Sequence, residues 1–195
     1  RVVSHAAELP DTLAPGAVLL AVKPQMMDAV LPELARLVAT DTLVLSIAAG
    51  KSIAGFEGAF GAERGVVRAM PNTPAAVGRG VTVLCANASA SAGQRALAEQ
   101  LMAAVGRVHW IDDENLMHAV TAVSGSGPAY VFHLIEALAA AGARAGLPTE
   151  LAMDLARATV VGAGELAHQS SDSAAQLRMN VTSPGGTTAA ALQEI

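Results

Sequence analysis

The stretch AVLLAVKP, residues 17–24, predicts the fold class of this chain. Its six unbroken apolar residues are typical of a strand that is covered on both faces, as strands are in a parallel sheet. Lys23-Pro24 follows, and proline favours the first position of a helix. Met27, Leu31 and Leu34 then recur at helical spacing. The stretch therefore predicts a strand followed by a helix.

Further strands and helices alternate as far as Asp112. Strands are predicted at 42–47, 65–69, 81–85 and 107–111, and helices at 51–60 and 91–104. Between the third and fourth strands, MPNTP at 70–74 carries two prolines, which exclude regular structure there. The alternation predicts an α/β fold with an open, mostly parallel, doubly wound sheet of the Rossmann type.

From residue 113 onward only helical patterns occur, at 113–123, 128–145, 149–168, 172–180 and from 186. We therefore predict two domains, a dinucleotide-binding domain at 1–112 and an all-α domain at 113–195. The helices are rich in alanine and glycine, which lets backbones pack closely and suggests burial against a partner chain. Residues 1–3 suggest a strand already under way, and residues 192–195 stop inside a helical pattern, so we expect a fragment of a longer chain.

Composition narrows the function classes. Of 195 residues, 52% are apolar and only 15% are charged, against a typical charged share of about 25%. This balance suggests extensive buried surface. The net charge of -5 and the lack of a Lys/Arg run disfavour nucleic acid as a partner. No unbroken apolar run reaches the roughly 18 residues of a membrane span.

The cysteine and histidine residues indicate the redox compartment of the protein and whether it binds a metal. The single cysteine, Cys85, excludes an intrachain disulfide, fits a reducing cytoplasm, and is predicted to be a small buried hydrophobe. The histidines show no spacing shared with carboxylates or cysteine, so we expect no metal site.

The stretch NVTSPGGTTAAAL, residues 180–192, predicts an anion-binding turn. Gly185 and Gly186 can adopt positive φ, and the N–H groups of the following helix would point at a carboxylate or phosphate. The alternative is an ordinary loop that caps a helix.

The carboxyl ends of the predicted strands are a second candidate region, because ligands of open α/β sheets bind there. The loops concerned are 21–24, 48–50 and 70–74, which offer backbone groups and little charge. The G-x-G-x-x-G phosphate turn is absent after any predicted strand, and we expect it upstream of Arg1.

Several stretches, taken in order along the whole chain, resemble the pyrroline-5-carboxylate reductase family. They are AVKPQ at 21–25, RAMPNTP at 68–74, AVTAVSGSGPAY at 119–130, GLP at 146–148, and NVTSPGGTTAAAL. The resemblance implies hydride transfer from NADPH, or alternatively NADH, to 1-pyrroline-5-carboxylate, which gives L-proline in the last step of proline biosynthesis. It also implies a cytoplasmic homodimer, or a higher oligomer of dimers, formed through the helical domain.

The resemblance also implies roles for individual residues. Thr188 would be the catalytic hydroxyl that bonds the substrate ring nitrogen. The substrate-binding positions would be Glu114, Ser183, Gly186, Thr187 and Thr188. The cofactor-binding positions would be Ala21, Val22, Lys23, Pro24, Ala69, Met70, Pro71, Asn72 and Asn180.

Other interpretations stay open on the residues alone. Glu114 could serve a helix dipole, and Asn72 could be an Asx-turn residue between prolines. Another reductase of the same superfamily would act on a different imine or on a β-hydroxy acid. A β-hydroxyacid dehydrogenase would place a lysine in 113–123, where there is none. A non-catalytic oligomerisation or nucleotide-sensing module is the remaining alternative.

Overall fold

The computed structural model describes residues 2–10 and 12–193. Its centre is a five-stranded sheet in the order β1-β2-β3-β4-β5. The strands are β1 Ala17–Leu20, β2 Leu43–Ser46, β3 Val66–Met70, β4 Gly80–Ala86 and β5 Gly106–Trp110. The helices among them are α1 Met27–Leu34, α2 Ile53–Phe60 and α3 Ala92–Ala103. The predicted α/β class, the five predicted strands and the proline start of the helical segment that follows β1 are confirmed.

Helices cover both faces of the sheet, as a doubly wound fold requires. Alternate residues of one strand face opposite ways. Val44 accordingly packs with Met27 of α1 and Phe56 of α2. Leu45, its neighbour in β2, packs on the other face with Met102 of α3. The continuous apolar runs of the sequence are explained by this double cover.

β4 runs antiparallel to β3, whereas β1, β2 and β3 are parallel to one another. Parallel neighbours need a crossover connection of about a dozen residues or more, usually a helix. The connection here is short and holds only a 3-10 segment at Thr73–Val77. The chain therefore reverses, and β4 begins at the edge where β3 ends.

The remainder of the described chain is helical. A 3-10 segment at Glu114–Leu116 leads into α4, Met117–Val120, and a π-helical turn at Thr121–Gly125. The later helices are α5 Gly127–Arg144, α6 Thr149–Gln169, α7 Ala174–Asn180 and α8 Thr187–Ala191. Residues 2 and 3 are not part of a strand, contrary to the prediction. Arg1, Glu194 and Ile195, which the predictions about the chain ends included, lie outside the described residues.

Two compact units divide the chain after Pro128, further along than the predicted boundary at Asp112. The reason is packing in the first unit. Met117 of α4 is fully buried in the same hydrophobic cluster as Phe56 of α2. The first short helices after β5 thus complete the core beneath the sheet. The assignment of one functional domain to each part stays a prediction.

The second unit buries few apolar side chains of its own. Among residues 129–193, the buried ones are three alanines, Ala139, Ala152 and Ala156. Large apolar side chains in it are exposed, including Phe132 at 59% and Val161 at 70%. The second unit also has a solvent-exposed apolar groove, which is lined by Leu138, Gly142, Leu147, Ala152, Leu155, Ala156 and Thr159. Among the described residues, no helix is long and apolar enough to cross a bilayer.

Candidate active site

The first unit gathers most of the predicted cofactor positions at one edge of the sheet. β1, β2 and β3 are parallel neighbours, so the residues after each strand lie at the same edge. Ala21, Val22, Lys23 and Pro24 follow β1, and Pro71 and Asn72 follow β3. Ala69 is different, because its side chain is 1% exposed and packs inside the sheet core. Its methyl group is therefore unavailable to a ligand in this structure.

The loop at 47–52, between β2 and α2, completes this edge and is held at several points. The Ser46 hydroxyl accepts a hydrogen bond from the Ala48 N–H at 3.2 Å. Gly50 turns the chain with φ of 74°. Ser52 is the N-cap of α2, and its hydroxyl accepts from the Gly55 N–H at 3.2 Å. The Lys51 ammonium bonds the Asp28 carboxylate of α1 at 2.7 Å.

Glu114 ties the centre of the sheet to α2. Its Oε1 accepts hydrogen bonds from Nη1 of Arg68 at 2.7 Å and from the Ile53 N–H at 2.9 Å. Arg68 lies in β3 with its side chain 7% exposed. The carboxylate therefore serves the N-terminus of α2, where a negative charge is favourable, rather than that of its own helix. Sequence reasoning missed Arg68, although an arginine inside the apolar run 65–69 signals a buried acidic partner.

Asn72 uses both ends of its side-chain amide within the first unit. Oδ1 accepts from the Val81 N–H at 2.9 Å, and Nδ2 donates to the Ser124 carbonyl at 3.1 Å. The Asx-turn interpretation would have placed the acceptor bond two residues onward, which is not seen. Asn72 instead joins the start of β4 to the π-helical turn.

Cys85, which pairs with Arg68 across β4 and β3, is a buried free thiol, as predicted. Its side chain is 1% exposed, and Sγ lies 3.9 Å from the Asp112 carbonyl oxygen. Burial raises the pKa of the Cys85 thiol, and the nearby Glu114 carboxylate raises it further. The thiol is accordingly protonated and inert at neutral pH.

The turn at 183–188 belongs to the second unit. Gly185 has φ of 70°, as expected of a turn glycine, whereas Gly186 has φ of -80° and caps α8 in an extended conformation. A Cβ at Gly186 would lie 3.2 Å from the Ser183 carbonyl oxygen, a tight contact that favours glycine at this position. α8, at Thr187–Ala191, is only five residues long, so its dipole is small.

The hydroxyl groups of this turn are not used internally. Within the part of the chain that the structure describes, Ser183, Thr187 and Thr188 make no side-chain hydrogen bond, and α8 has no side-chain cap. Thr182, beside them, does bond the Arg178 carbonyl at 2.7 Å. These hydroxyls therefore do not serve as helix caps and are free to meet a ligand.

The predicted site residues thus fall into two groups. Ala21 to Pro24, Ala69 to Asn72, and Glu114 belong to the first unit. Ser183, Gly186, Thr187 and Thr188 belong to the second unit, together with Asn180, whose side chain accepts from Gln176 at 2.8 Å. Over the described ranges, no group of three or more His, Cys, Asp or Glu residues is placed to bind a metal ion.

Comparison with known proteins decides the family. The family model for the pyrroline-5-carboxylate reductase dimerisation region matches residues 114–195. The pyrroline-5-carboxylate reductase of Pseudomonas aeruginosa is 49% identical over 176 residues, which are 90% of this chain and 64% of that protein. The corresponding protein of Mycobacterium leprae is 42% identical, over 91% of this chain and 68% of its own length. This chain belongs to the pyrroline-5-carboxylate reductase family.

A solved structure agrees with this family assignment. The Plasmodium falciparum pyrroline carboxylate reductase, crystallised with NADP bound, is 34% identical and superposes with a TM-score of 0.85. The superposition covers 98% of this chain and 72% of that one. The chain spans 64% of the length of its Pseudomonas aeruginosa relative.

Proposed function

We propose that the protein carrying this chain reduces 1-pyrroline-5-carboxylate to L-proline with NADPH, or with NADH. The observation that carries the proposal is the relationship to pyrroline-5-carboxylate reductases along nine tenths of the chain. The cofactor would supply the hydride to the carbon of the protonated C=N bond, and the nitrogen, which already carries its proton, would become the neutral amine of proline. The described residues offer no acid-base pair at the turn, so their contribution to the rate is mostly positioning.

The substrate would be held by the turn at 183–188. Ser183 and the backbone of Gly186 and Thr187 would bind the carboxylate, and the Thr188 hydroxyl would donate a hydrogen bond to the lone pair that develops on the ring nitrogen. The support is the open hydroxyl groups of Ser183 and Thr188 and the positive φ of Gly185, which shapes the turn. The bond from Thr188 would strengthen as the nitrogen becomes an amine.

The cofactor would lie along the carboxyl edge of β1, β2 and β3. The fit rests on exposed or half-buried backbone at 21–24 and 70–72, on open space beside Gly50, and on the lack of carboxylates in these loops. Asn180 is the cofactor position proposed in the second unit. A phosphate-binding G-x-G-x-x-G turn is not among these 195 residues, so this chain accounts for one part of the dinucleotide site.

The assembly we propose is a homodimer formed through the helical unit. The described part of that unit buries three alanines but exposes large side chains such as Phe132, Val161 and Leu166. Obligate interfaces are richer in apolar surface than ordinary protein surface, which fits this distribution. The match of residues 114–195 to a dimerisation model supports the same region. A higher oligomer of dimers and a cytoplasmic location remain predictions, to be checked by light scattering and by fractionation.

The assay that tests the proposed reaction follows absorbance at 340 nm in the full-length protein. We expect NADPH oxidation that depends on 1-pyrroline-5-carboxylate and yields one proline for each cofactor consumed. A β-hydroxy acid, with NADP in place of NADPH, serves as the control substrate for the alternative superfamily activity. Turnover of the β-hydroxy acid with none of the imine would reject the proposal.

A further inference from the structure

The Arg68–Glu114 pair is a buried polar connection that no family resemblance had assigned. Arg68 sits in the middle strand of the sheet, between Ser46 of β2 and Cys85 of β4. Its side chain is 7% exposed, and its guanidinium bonds Oε1 of Glu114 at 2.7 Å. A buried cation in such a place is unfavourable unless it is paired. Arg68 therefore fixes the Glu114 carboxylate at one point above the sheet.

Glu114 in turn fixes the beginning of α2. The same Oε1 accepts from the Ile53 N–H at 2.9 Å, which satisfies one of the donors that a helix leaves open at its N-terminus. Ile53 is the first residue of α2 and directly follows the loop at 47–52. That loop lies at the carboxyl edge of the sheet, between the two other cofactor loops. The pair thus determines where this loop ends.

We propose that Arg68 and Glu114 are positioning residues for dinucleotide binding, acting through the N-terminus of α2 and the loop at 47–52. The inference rests on the proposed function, since it presupposes that a nicotinamide dinucleotide lies along that edge. Neither residue needs to contact the cofactor. A loop that is already ordered loses less conformational entropy on binding, so the pair raises affinity by preorganisation.

Asn87, which contacts the same helix α2, offers a matched control for the Arg68–Glu114 pair. Asn87 is 7% exposed, and its amide donates to Glu57 of α2 at 3.0 Å and to the Arg64 carbonyl at 2.8 Å. Its Oδ1 accepts from the Val66 N–H at 3.0 Å, at the opposite edge of the sheet. Asn87 is therefore a comparable buried link to α2, but away from the cofactor loops.

The test compares three variants of the full-length protein, Arg68→Met, Glu114→Gln and Asn87→Ala. Each is examined by thermal melting, by NADPH titration in a calorimeter, and by hydrogen exchange of the peptide at 48–55 without cofactor. We expect all three variants to have a lower melting temperature than the wild-type protein. In Arg68→Met and Glu114→Gln, the NADPH Kd should rise about tenfold and exchange at 48–55 should accelerate. In Asn87→Ala, the NADPH Kd and the exchange rate at 48–55 should each stay within about twofold of wild type.

A conservative variant, Arg68→Lys, and kcat measured at saturating NADPH extend the test. Arg68→Lys retains a cation and should recover part of the NADPH affinity, and it carries the test if Arg68→Met does not fold. At saturating NADPH, kcat should stay within about threefold of wild type in the two Arg68 variants. Equal Kd changes in the Asn87 and Arg68 variants would overturn the inference while leaving the reductase function intact. A wild-type protein that binds no dinucleotide would overturn both.

Discussion

The amide nitrogen of Asn72 donates a hydrogen bond to the carbonyl oxygen of Ser124 at 3.1 Å. Its oxygen at the same time accepts from the Val81 N–H at 2.9 Å. One side chain thereby joins the end of β3, the start of β4 and the π-helical turn at Thr121–Gly125. Such turns are frequent at functional sites, and this one is fixed by Asn72 to the carboxyl edge of β3.

Asn72→Ala should lower the free energy of unfolding by about 1 to 3 kcal/mol, because it leaves a partly buried N–H and C=O without partners. Asn72→Asp retains the acceptor for Val81 but places a carboxylate against the Ser124 carbonyl, so it should also destabilise. Urea unfolding measures both. Asn115→Ala, which removes an exposed amide bound only to Asp113, is the control and should have little effect. Equal midpoints for all three would contradict the proposed link.

Gly106→Ala should destabilise the sheet severely. Gly106 opens β5 with φ of 153°, and a Cβ there would overlap the carbonyl oxygen of its partner Gly80 in β4. Strained backbone together with a clash against backbone should cost about 3 kcal/mol or more. Gly58→Ala is the contrast, since Gly58 lies in α2 with no atom within 4 Å of its Cβ position. It should stabilise by about 0.5 to 1 kcal/mol in a thermal melt.

Cys85 should resist thiol reagents in the folded protein. Its pKa is raised mainly by burial, so the thiolate fraction at pH 8 is smaller than that of an ordinary thiol. With a chromogenic disulfide reagent, we expect slow labelling that accelerates with urea in step with unfolding. The denatured protein, which should release one equivalent, calibrates the assay. If the native protein were labelled as fast as the denatured protein, Cys85 in β4 would be accessible to the reagent, which would contradict its burial.

Thr188→Ala and Ser183→Ala should have separable kinetic effects. Loss of a hydrogen bond to a charged group costs about 1.5 to 3 kcal/mol, or roughly ten- to a hundredfold. For Thr188→Ala we expect that loss mainly in kcat, because the proposed bond from Thr188 would be strongest as the ring nitrogen becomes an amine. For Ser183→Ala we expect it mainly in KM for the imine, since the carboxylate does not change during the reaction.

The control for this pair is Thr182→Ala, which removes a hydroxyl that bonds the Arg178 carbonyl in the same turn. It should lower the melting temperature slightly and leave both kinetic constants near wild type. Steady-state kinetics and a thermal melt on all three variants decide the matter. Lower melting temperatures with unchanged kcat and KM in Thr188→Ala and Ser183→Ala would remove this turn from the active site.

Local patterns predicted much of this fold from sequence. The apolar run at 17–22 specified β1, and Pro24 specified the helix start after it, because each depends on nearby residues alone. The direction of β4 was not predicted, since it depends on how the chain returns after β3. The lack of a helical pattern between residues 70 and 80 was the available signal.

The candidate site divides in the same way. The positive φ of Gly185 followed from a local turn pattern, and the structure bears it out. The partners of Glu114 and Asn72 did not follow from sequence, because Arg68 and Ser124 are distant along the chain and meet them only in the folded sheet. Long-range pairing of this kind leaves a weak trace in sequence, such as a lone arginine in an apolar strand.

The reaction itself is tested most directly by following the transferred hydrogen. The full-length protein would be incubated with 1-pyrroline-5-carboxylate and NADPH deuterated at C4 of the nicotinamide, in ordinary water, and the proline analysed by mass spectrometry and NMR. Each C4 epimer of the cofactor is used in a separate reaction. The account predicts that one epimer delivers a single deuterium to the carbon that was the imine carbon. Proline without deuterium from either epimer, or cofactor oxidation without proline, would contradict it.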